Sequence, residues 1–243
     1  MKYKVDTAII LAGGLGTRLR ELVSDVPKPM ALIKGRPFLE YLLDAWIDQG
    51  IEDFVISVGY KSEIIISHFG DKYRSARIKY AIELSPLGTG GGLLLAKEYI
   101  KNRDVFLILN GDSFFDVNLE HLYDFFYKKN ASLCLSLFKT NEVNRYMNVE
   151  ISPYGNITKI KSSENKFEHL ANGGVYIIKN NLLEKFILNE KSTMSFENYI
   201  IPNLVHNNKS IFGMVYENDF IDIGLPKDYV RSSEILSNIG KLY

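Results

Sequence analysis

The residues best equipped for chemistry come early in the chain. Leu11 to Arg20 reads LAGGLGTRLR, directly after the apolar run that begins at Thr7. Such a run is the kind that forms a strand inside a parallel sheet. Glycines at positions 13, 14 and 16 let the chain turn sharply and let a ligand reach the backbone amides. Arginine beside such a loop points to an anionic ligand, most often a phosphate, because its planar fork matches two oxygens at once. Arg18 is the candidate, and Arg20 reads as its solvated neighbour.

Two common phosphate loops fail on spacing. A Walker A loop needs lysine and a hydroxyl after its last glycine, and Gly16 is followed by Thr17 and Arg18. A dinucleotide fingerprint needs a third glycine where Leu19 stands.

The elements that must hold this loop can be read from periodicity. FLEYLLDAWIDQG (Phe38 to Gly50) is amphipathic and stops at glycine, as a helix does. DFVISV then reads as a strand, KSEIIISHFG as a short helix, and IKYAIE as a third strand. GGLLLAKEYIK follows as a helix, DVFLILN as a strand, NLEHLYDFFYKKN as a helix capped by Asn118, and ASLCLSLF as a fifth strand. This alternation predicts an α/β fold with a Rossmann-like, mixed but mostly parallel sheet flanked by helices, and ligands outside the carboxyl ends of its strands. From about Tyr146 the pattern turns β-rich: NVEISPYGNITKIK reads as a hairpin, GGVYIIK as a strand, and PKDYVRSSEILSNIG as a closing helix. No linker separates the halves, so 1–243 reads as a single domain.

Bulk properties exclude several classes. At 243 residues, 46% hydrophobic and 24% charged, the chain suits a globular protein with a sizeable core. A formal net charge of zero leaves no footprint for generic nucleic-acid binding. The lone Cys134 excludes an internal disulfide framework, fits a reducing compartment and reads as a core thiol. His68, His121, His169 and His206 show no metal-ligand spacing. No apolar run is long enough for a membrane span and the first strand starts at once, so the expectation is a cytoplasmic protein.

LAGGLGTRL followed by PKPM (Pro27 to Met30) resembles the signature of the sugar-1-phosphate nucleotidylyltransferases. The resemblance runs along nearly the whole chain. ELSPLGTGGGL is similar to the family's base-recognition segment, LNGDSFFD to its metal-binding turn, NGGVYII to its sugar-contacting strand and FIDIGLPKDY to its second metal motif. Within the family, GGLGTRLR, PKPMA, RPFLEYLLD and TGGGL resemble most the D-glycero-α-D-manno-heptose 1-phosphate guanylyltransferases. The fold so implied is the nucleotide-diphospho-sugar transferase type. Its nucleotide-binding half covers about 1–140 and its β-rich sugar-phosphate-binding half about 141–243.

The resemblance implies a reaction between two polyanions, GTP or another nucleoside triphosphate and a sugar 1-phosphate, so positioning and charge neutralisation should dominate. Leu11, Ala12, Gly13, Gly14, Gly16 and Thr17 would wrap the triphosphate, and Arg18 would grip the departing pyrophosphate. Lys28, with backbone restricted by Pro27 and Pro29, would reach the α-phosphate. Asp112 (beside Gly111) and Asp222 would hold Mg²⁺, whose preference is for oxygen ligands. Asp112 ends an apolar strand, where a buried carboxylate is expensive without a partner, and either aspartate alone is also an ordinary turn former. Glu83, with Gly88 and Thr89 beside it, would accept from the two donors on the guanine edge and so select GTP. Asn172, Gly174 and Glu197, together with Asp222, are the sugar-phosphate candidates, Glu197 serving equally as a first-turn helix acid.

Two departures stand out. Ser162-Ser163 occupy the place of the family's Glu-Lys-Pro, leaving Lys161 and Lys166 as substitutes, and Arg145-Tyr146-Met147 replaces Arg-Tyr-Gly. Mannose 1-phosphate, or N-acetylmuramate 1-phosphate with UTP, are rival substrates, and a non-catalytic nucleotide-sugar sensor is the rival class. A homodimer is compatible with either reading.

Overall fold

The computed structural model describes residues 5–14, 16, 23, 25–142, 145–161, 168–189, 192–207 and 209–239. In chain order the elements are β1 (Thr7–Leu11), β2 (Leu32–Ile33), β3 (Arg36–Pro37), α1 (Phe38–Asp48), β4 (Asp53–Val58), α2 (Ser62–Phe69), β5 (Lys72–Tyr73), β6 (Ala76–Ile82) and α3 (Gly88–Lys97). They continue as β7 (Val105–Asn110), β8 (Ser113–Phe115), α4 (Leu119–Lys128), β9 (Leu133–Thr140), β10 (Asn148–Ile151), β11 (Ile157–Lys161) and β12 (His169–Lys179). The chain then forms a single π-turn at Phe196–Ile200, α5 (Ile201–His206), β13 (Ile211–Tyr216), β14 (Phe220–Asp222) and α6 (Pro226–Ile239).

A ten-stranded mixed sheet runs through both halves of the chain, in the order β11-β10-β12-β7-β1-β4-β6-β5, with β9 on β12 and β13 on β9. β7, β1, β4 and β6 are parallel, whereas β12 runs antiparallel to both β7 and β9. The central strands are apolar on both faces because helices cover both. Ile10, Phe54, Ile56, Leu107 and Leu109 face one core, against Phe38, Leu42 and Trp46 of α1. Ile9, Val55, Phe106 and Ile108 face the other, against Leu93 and Leu94 of α3 and Phe196, Ile200 and Leu204. This alternation is the two-residue period of a strand meeting the helical period of α1. Each fully buried large apolar side chain contributes about 1.5–3 kcal/mol relative to exposure.

The sequence expectation places the elements it named well, but it did not name β2, β3, β5, α5 or β13, and three further differences bear on the site. α3 begins at Gly88, inside the glycine run, because the amides of Gly90 and Gly91 donate to the Met194 carbonyl at 2.8 and 3.3 Å. β12 starts at His169, well before the expected GGVYIIK. The short β8–β14 pair, unseen in the sequence, sets Asp222 opposite Ser113.

Parallel register aligns the strand ends: Leu11 pairs with Ser57 on one side and Asn110 on the other. The loops leaving β1, β4, β6 and β7 therefore emerge along one edge, where an open α/β sheet binds its ligands.

Candidate active site

That edge carries a cleft of about 470 Å³. Leu11, Ala12, Gly13, Gly14 and Gly16 form one wall. Glu83, Gly88 and Thr89 form another, and Lys28 and Asp112 close the third side. Thr17, Arg18 and Arg20 lie outside the described residues, as do Ser162, Ser163 and Lys166. Gly111 lies behind the cleft, its amide donating to the Leu11 carbonyl at 2.9 Å, which ties the two loops together.

Lys28 opens a single 3₁₀ turn, Lys28–Met30, entered from Pro27 at φ −65° and closed by the Ala31 amide on the Lys28 carbonyl. Pro29 and Met30 are buried, so the turn is anchored and its lysine is aimed. A side chain at Gly16 would approach the Lys28 stem to 3.1 Å, so the glycine loop rests on the lysine. The Lys28 Nζ lies 2.7 Å from Asp112 Oδ2 and 3.2 Å from Asp222 Oδ1. One ammonium thus bridges two carboxylates from distant parts of the chain.

The β8–β14 pair makes this possible. Its register sets Asp222 beside the end of β7, and the Ile223 amide donates to the Asp112 carbonyl at 3.1 Å. Asp222 Oδ1 also accepts from the Gly224 amide at 2.7 Å, so the turn-forming role foreseen for it holds alongside the Lys28 contact. The expectation of a buried Asp112 needs correction. Its side chain is 45% exposed because the strand ends at Asn110, while Lys28 is only 9% exposed. Desolvation therefore falls mainly on the lysine, which has two carboxylates to offset it.

Glu83 follows β6 and lies under the start of the glycine loop, where a side chain at Gly13 would collide with its carboxylate. Ser57 Oγ donates to Glu83 Oε1 at 2.8 Å and the Leu87 amide to Oε2 at 3.1 Å. Each oxygen keeps a lone pair for a further donor.

Asn172, Gly174, Glu197 and Asp222 do not line the cleft; Asp222 reaches it through Lys28 and the Gly224 amide and lines a neighbouring cleft with Arg145 and Asp228. Asn172 and Gly174 pack behind Asn110, which lines the glycine-walled cleft. The Gly174 amide donates to Asn172 Oδ1 at 3.1 Å, and Asn172 Nδ2 donates to the hydroxyl of the fully buried Tyr176. Burial pushes the Tyr176 hydroxyl well above the ordinary tyrosine range, so it stays protonated. Gly174 adopts φ +75°, and a side chain there would meet Ser113 Oγ at 2.8 Å. Glu197 Oε2 accepts from Thr89 Oγ1 at 2.6 Å and Ser195 Oγ at 3.2 Å. It is both a first-turn acid and a clasp between the halves.

Sequence reasoning missed Asn110, Pro86, Thr193 and Gly224 in the cleft wall. Asn110 had a signal, standing at a strand end just before Gly-Asp. Thr193 had none, because it reaches the cleft only through the Met194 segment that caps α3. Cys134 is buried and burial pushes its thiol up, which fits a packing role and not a nucleophile. Among the described residues no helix is long and apolar enough to cross a membrane.

Residues 7–238 match the family model described as nucleotidyl transferase. The chain is 39% identical, over 91% of its length and 96% of the relative's, to a D-glycero-alpha-D-manno-heptose 1-phosphate guanylyltransferase of Campylobacter jejuni. It is 38% identical to the protein of that name from Aneurinibacillus thermoaerophilus, covering 95% of this chain and 98% of the relative. The crystal structure of HddC from Yersinia pseudotuberculosis superposes with a TM-score of 0.82 at 31% identity, covering 95% and 99% of the two chains. HddC has also been solved complexed with GMP-PN, with a TM-score of 0.80 to this chain.

Thr89 joins the halves, donating to Glu197 while accepting from the Phe196 amide at 2.9 Å. Thr89→Val leaves the Phe196 amide without its acceptor and removes one of the two donors to Glu197, and should lower unfolding free energy by about 1–3 kcal/mol, read as a shifted denaturant midpoint.

Proposed function

The chain belongs to the nucleotidyl transferase family, and from that premise we propose that it transfers GMP from GTP to D-glycero-α-D-manno-heptose 1-phosphate, releasing pyrophosphate. The product would be a nucleotide-activated sugar for a surface glycan, made in the cytoplasm. The observation that carries the reading is the Lys28 ammonium drawn between Asp112 and Asp222 at the side of a glycine-walled cleft. The naming of the heptose substrate rests on the two guanylyltransferase relatives, and that of the guanine nucleotide also on the HddC complex.

In this reading a phosphate oxygen of the sugar 1-phosphate attacks the α-phosphorus of GTP. The bond from the α-phosphorus to the bridging oxygen breaks, and pyrophosphate leaves with that oxygen. Catalysis is then mostly alignment and neutralisation of charge on two polyanions. The amides of Gly13 and Gly14 face the triphosphate, and Lys28, freed from its carboxylates, stabilises charge on the α-phosphate oxygens. Arg18 takes the pyrophosphate by its position in the family motif.

The two carboxylates also fit a divalent cation, since they already attract one cation in the form of the Lys28 ammonium. Among the described residues no group of three or more acidic, histidine or cysteine side chains could hold a metal. Mg²⁺ takes one or two carboxylates and completes its shell with water and phosphate oxygens, so a pair of aspartates suffices for it. Asp112 and Asp222 would hold it, and when bound it supplies neutralising charge to the phosphates.

Pyrophosphate release measured across GTP, UTP, dTTP and CTP with heptose, mannose and N-acetylmuramate 1-phosphates tests the reading. Release with GTP and the heptose should exceed every other pair; another best pair reassigns the substrate, and binding without release means a sensor. Lys28→Met should lower kcat at least ~100-fold, far more than the fraction of protein unfolded in the same assay, checked by its melting curve. Glu83→Gln should shrink the preference for GTP over dTTP by about 1–3 kcal/mol, roughly 5- to 150-fold in kcat/KM. An unchanged ratio would remove Glu83 from base selection.

A further inference from the structure

Arg145 stands out because its guanidinium is almost enclosed and wholly committed to acids. Its side chain is 10% exposed. Nη2 lies 2.7 Å from Asp228 Oδ2, whose side chain is 3% exposed, and Nη1 donates to Glu142 Oε2 at 2.7 Å. The same Nη2 faces Asp222, at 3.6 Å from Oδ2 and 3.5 Å from the backbone carbonyl. The guanidinium also sits over the Tyr146 ring, 4.7 Å from its centroid. Burial works against the charge, yet the hydrogen bond to Glu142 and the ion pair with Asp228, whose Oδ2 has no hydrogen-bond partner of good geometry among the described residues, hold the Arg145 pKa above its ordinary value.

Both terminal nitrogens turn to carboxylates inside the protein, so the paired terminal N–H groups of Arg145 are directed at acids and not at the cleft. Its effect must pass through what it touches. Asp222 is held from two sides: Oδ1 by Lys28 and the Gly224 amide, Oδ2 by Arg145. Asp228, in the first turn of α6, anchors the arginine from behind, so the clamp joins the β9–β10 connection, β14 and α6.

We propose that Arg145 is a positioning residue for nucleotidyl transfer: anchored by Asp228 and Glu142, it fixes the orientation of the Asp222 carboxylate that faces the cation site. The proposal rests on the functional reading above, in which Asp222 serves a divalent cation. It assigns the arginine of the altered Arg-Tyr-Met stretch to Asp222 and not to substrate. Lysine keeps the charge but cannot span Asp228, Glu142 and Asp222 at once, because it lacks the planar fork.

The test is Mn²⁺ binding, followed by electron paramagnetic resonance with a non-hydrolysable GTP analogue, together with steady-state kinetics. Arg145→Lys and the double variant Arg145→Met/Asp228→Asn, which leaves no buried acid unpaired, are compared with wild type. Both variants should weaken Mn²⁺ binding at least fivefold and raise the half-saturating Mg²⁺ concentration to match, with GTP affinity measured without metal unchanged. Adding Asp222→Asn to Arg145→Lys should cause no further loss beyond Asp222→Asn alone. Wild-type Mn²⁺ binding in both folded variants, or metal-free GTP affinity falling in parallel, overturns the proposal. If the double variant does not fold, Arg145→Lys decides alone. Wild type that binds Mn²⁺ but releases no pyrophosphate sinks the functional reading while the titration still decides Arg145; wild type that binds no Mn²⁺ overturns the positioning role whatever its turnover.

Discussion

Two ionised carboxylates held side by side repel unless a proton or a cation lies between them, and here the cation is the Lys28 ammonium. Asp112 and Asp222 share the Lys28 ammonium at 2.7 and 3.2 Å. At the effective dielectric of a protein surface, each such contact is a Coulomb attraction on the order of a few kcal/mol before desolvation is subtracted. Like charges left unscreened at similar range would repel by a comparable amount. The lysine is therefore a counter-ion to both aspartates. In the function proposed above, the same ammonium would turn to the polyphosphate and leave the carboxylates to a divalent cation.

The fold supplies the geometry in two stages. Parallel strands with aligned ends bring the glycine loop, Glu83 and Asp112 to one edge. That stage comes from the first half of the chain. The second half then reaches over: β14 pairs with β8 to deliver Asp222, the Met194 carbonyl caps α3, and Glu197 accepts from Thr89. The cleft thus depends on long-range contacts that fold together with the sheet, and its cation cluster cannot assemble from either half alone.

Much of this was legible in the sequence because local patterns and site motifs coincide. Apolar runs bounded by glycine marked β1, β4 and β7, and the amphipathic Phe38 to Gly50 marked α1, since period and punctuation decide such elements. Lys28, Asp112 and Asp222 were identifiable from motifs as one phosphate site, but the direct contact of the lysine with both carboxylates was not. It depends on β8 and β14, strands of three residues that carry no period of their own. The start of α3 was misplaced for a related reason. Glycines disfavour a helix locally, and tertiary hydrogen bonds to Met194 override them. Arg145 looked like part of a degraded motif. Only the structure reveals Asp228 as its anchor, because Asp228 lies on the closing helix.

The central claim is that Asp112 and Asp222 form a cation site that Lys28 fills in the absence of substrate. Equilibrium Mn²⁺ binding by wild type and Lys28→Met, with no nucleotide present, tests it most directly. Removing the ammonium should tighten Mn²⁺ binding at least ~10-fold by ending the competition for the two carboxylates. Unchanged or weaker binding in a folded Lys28→Met protein would contradict it.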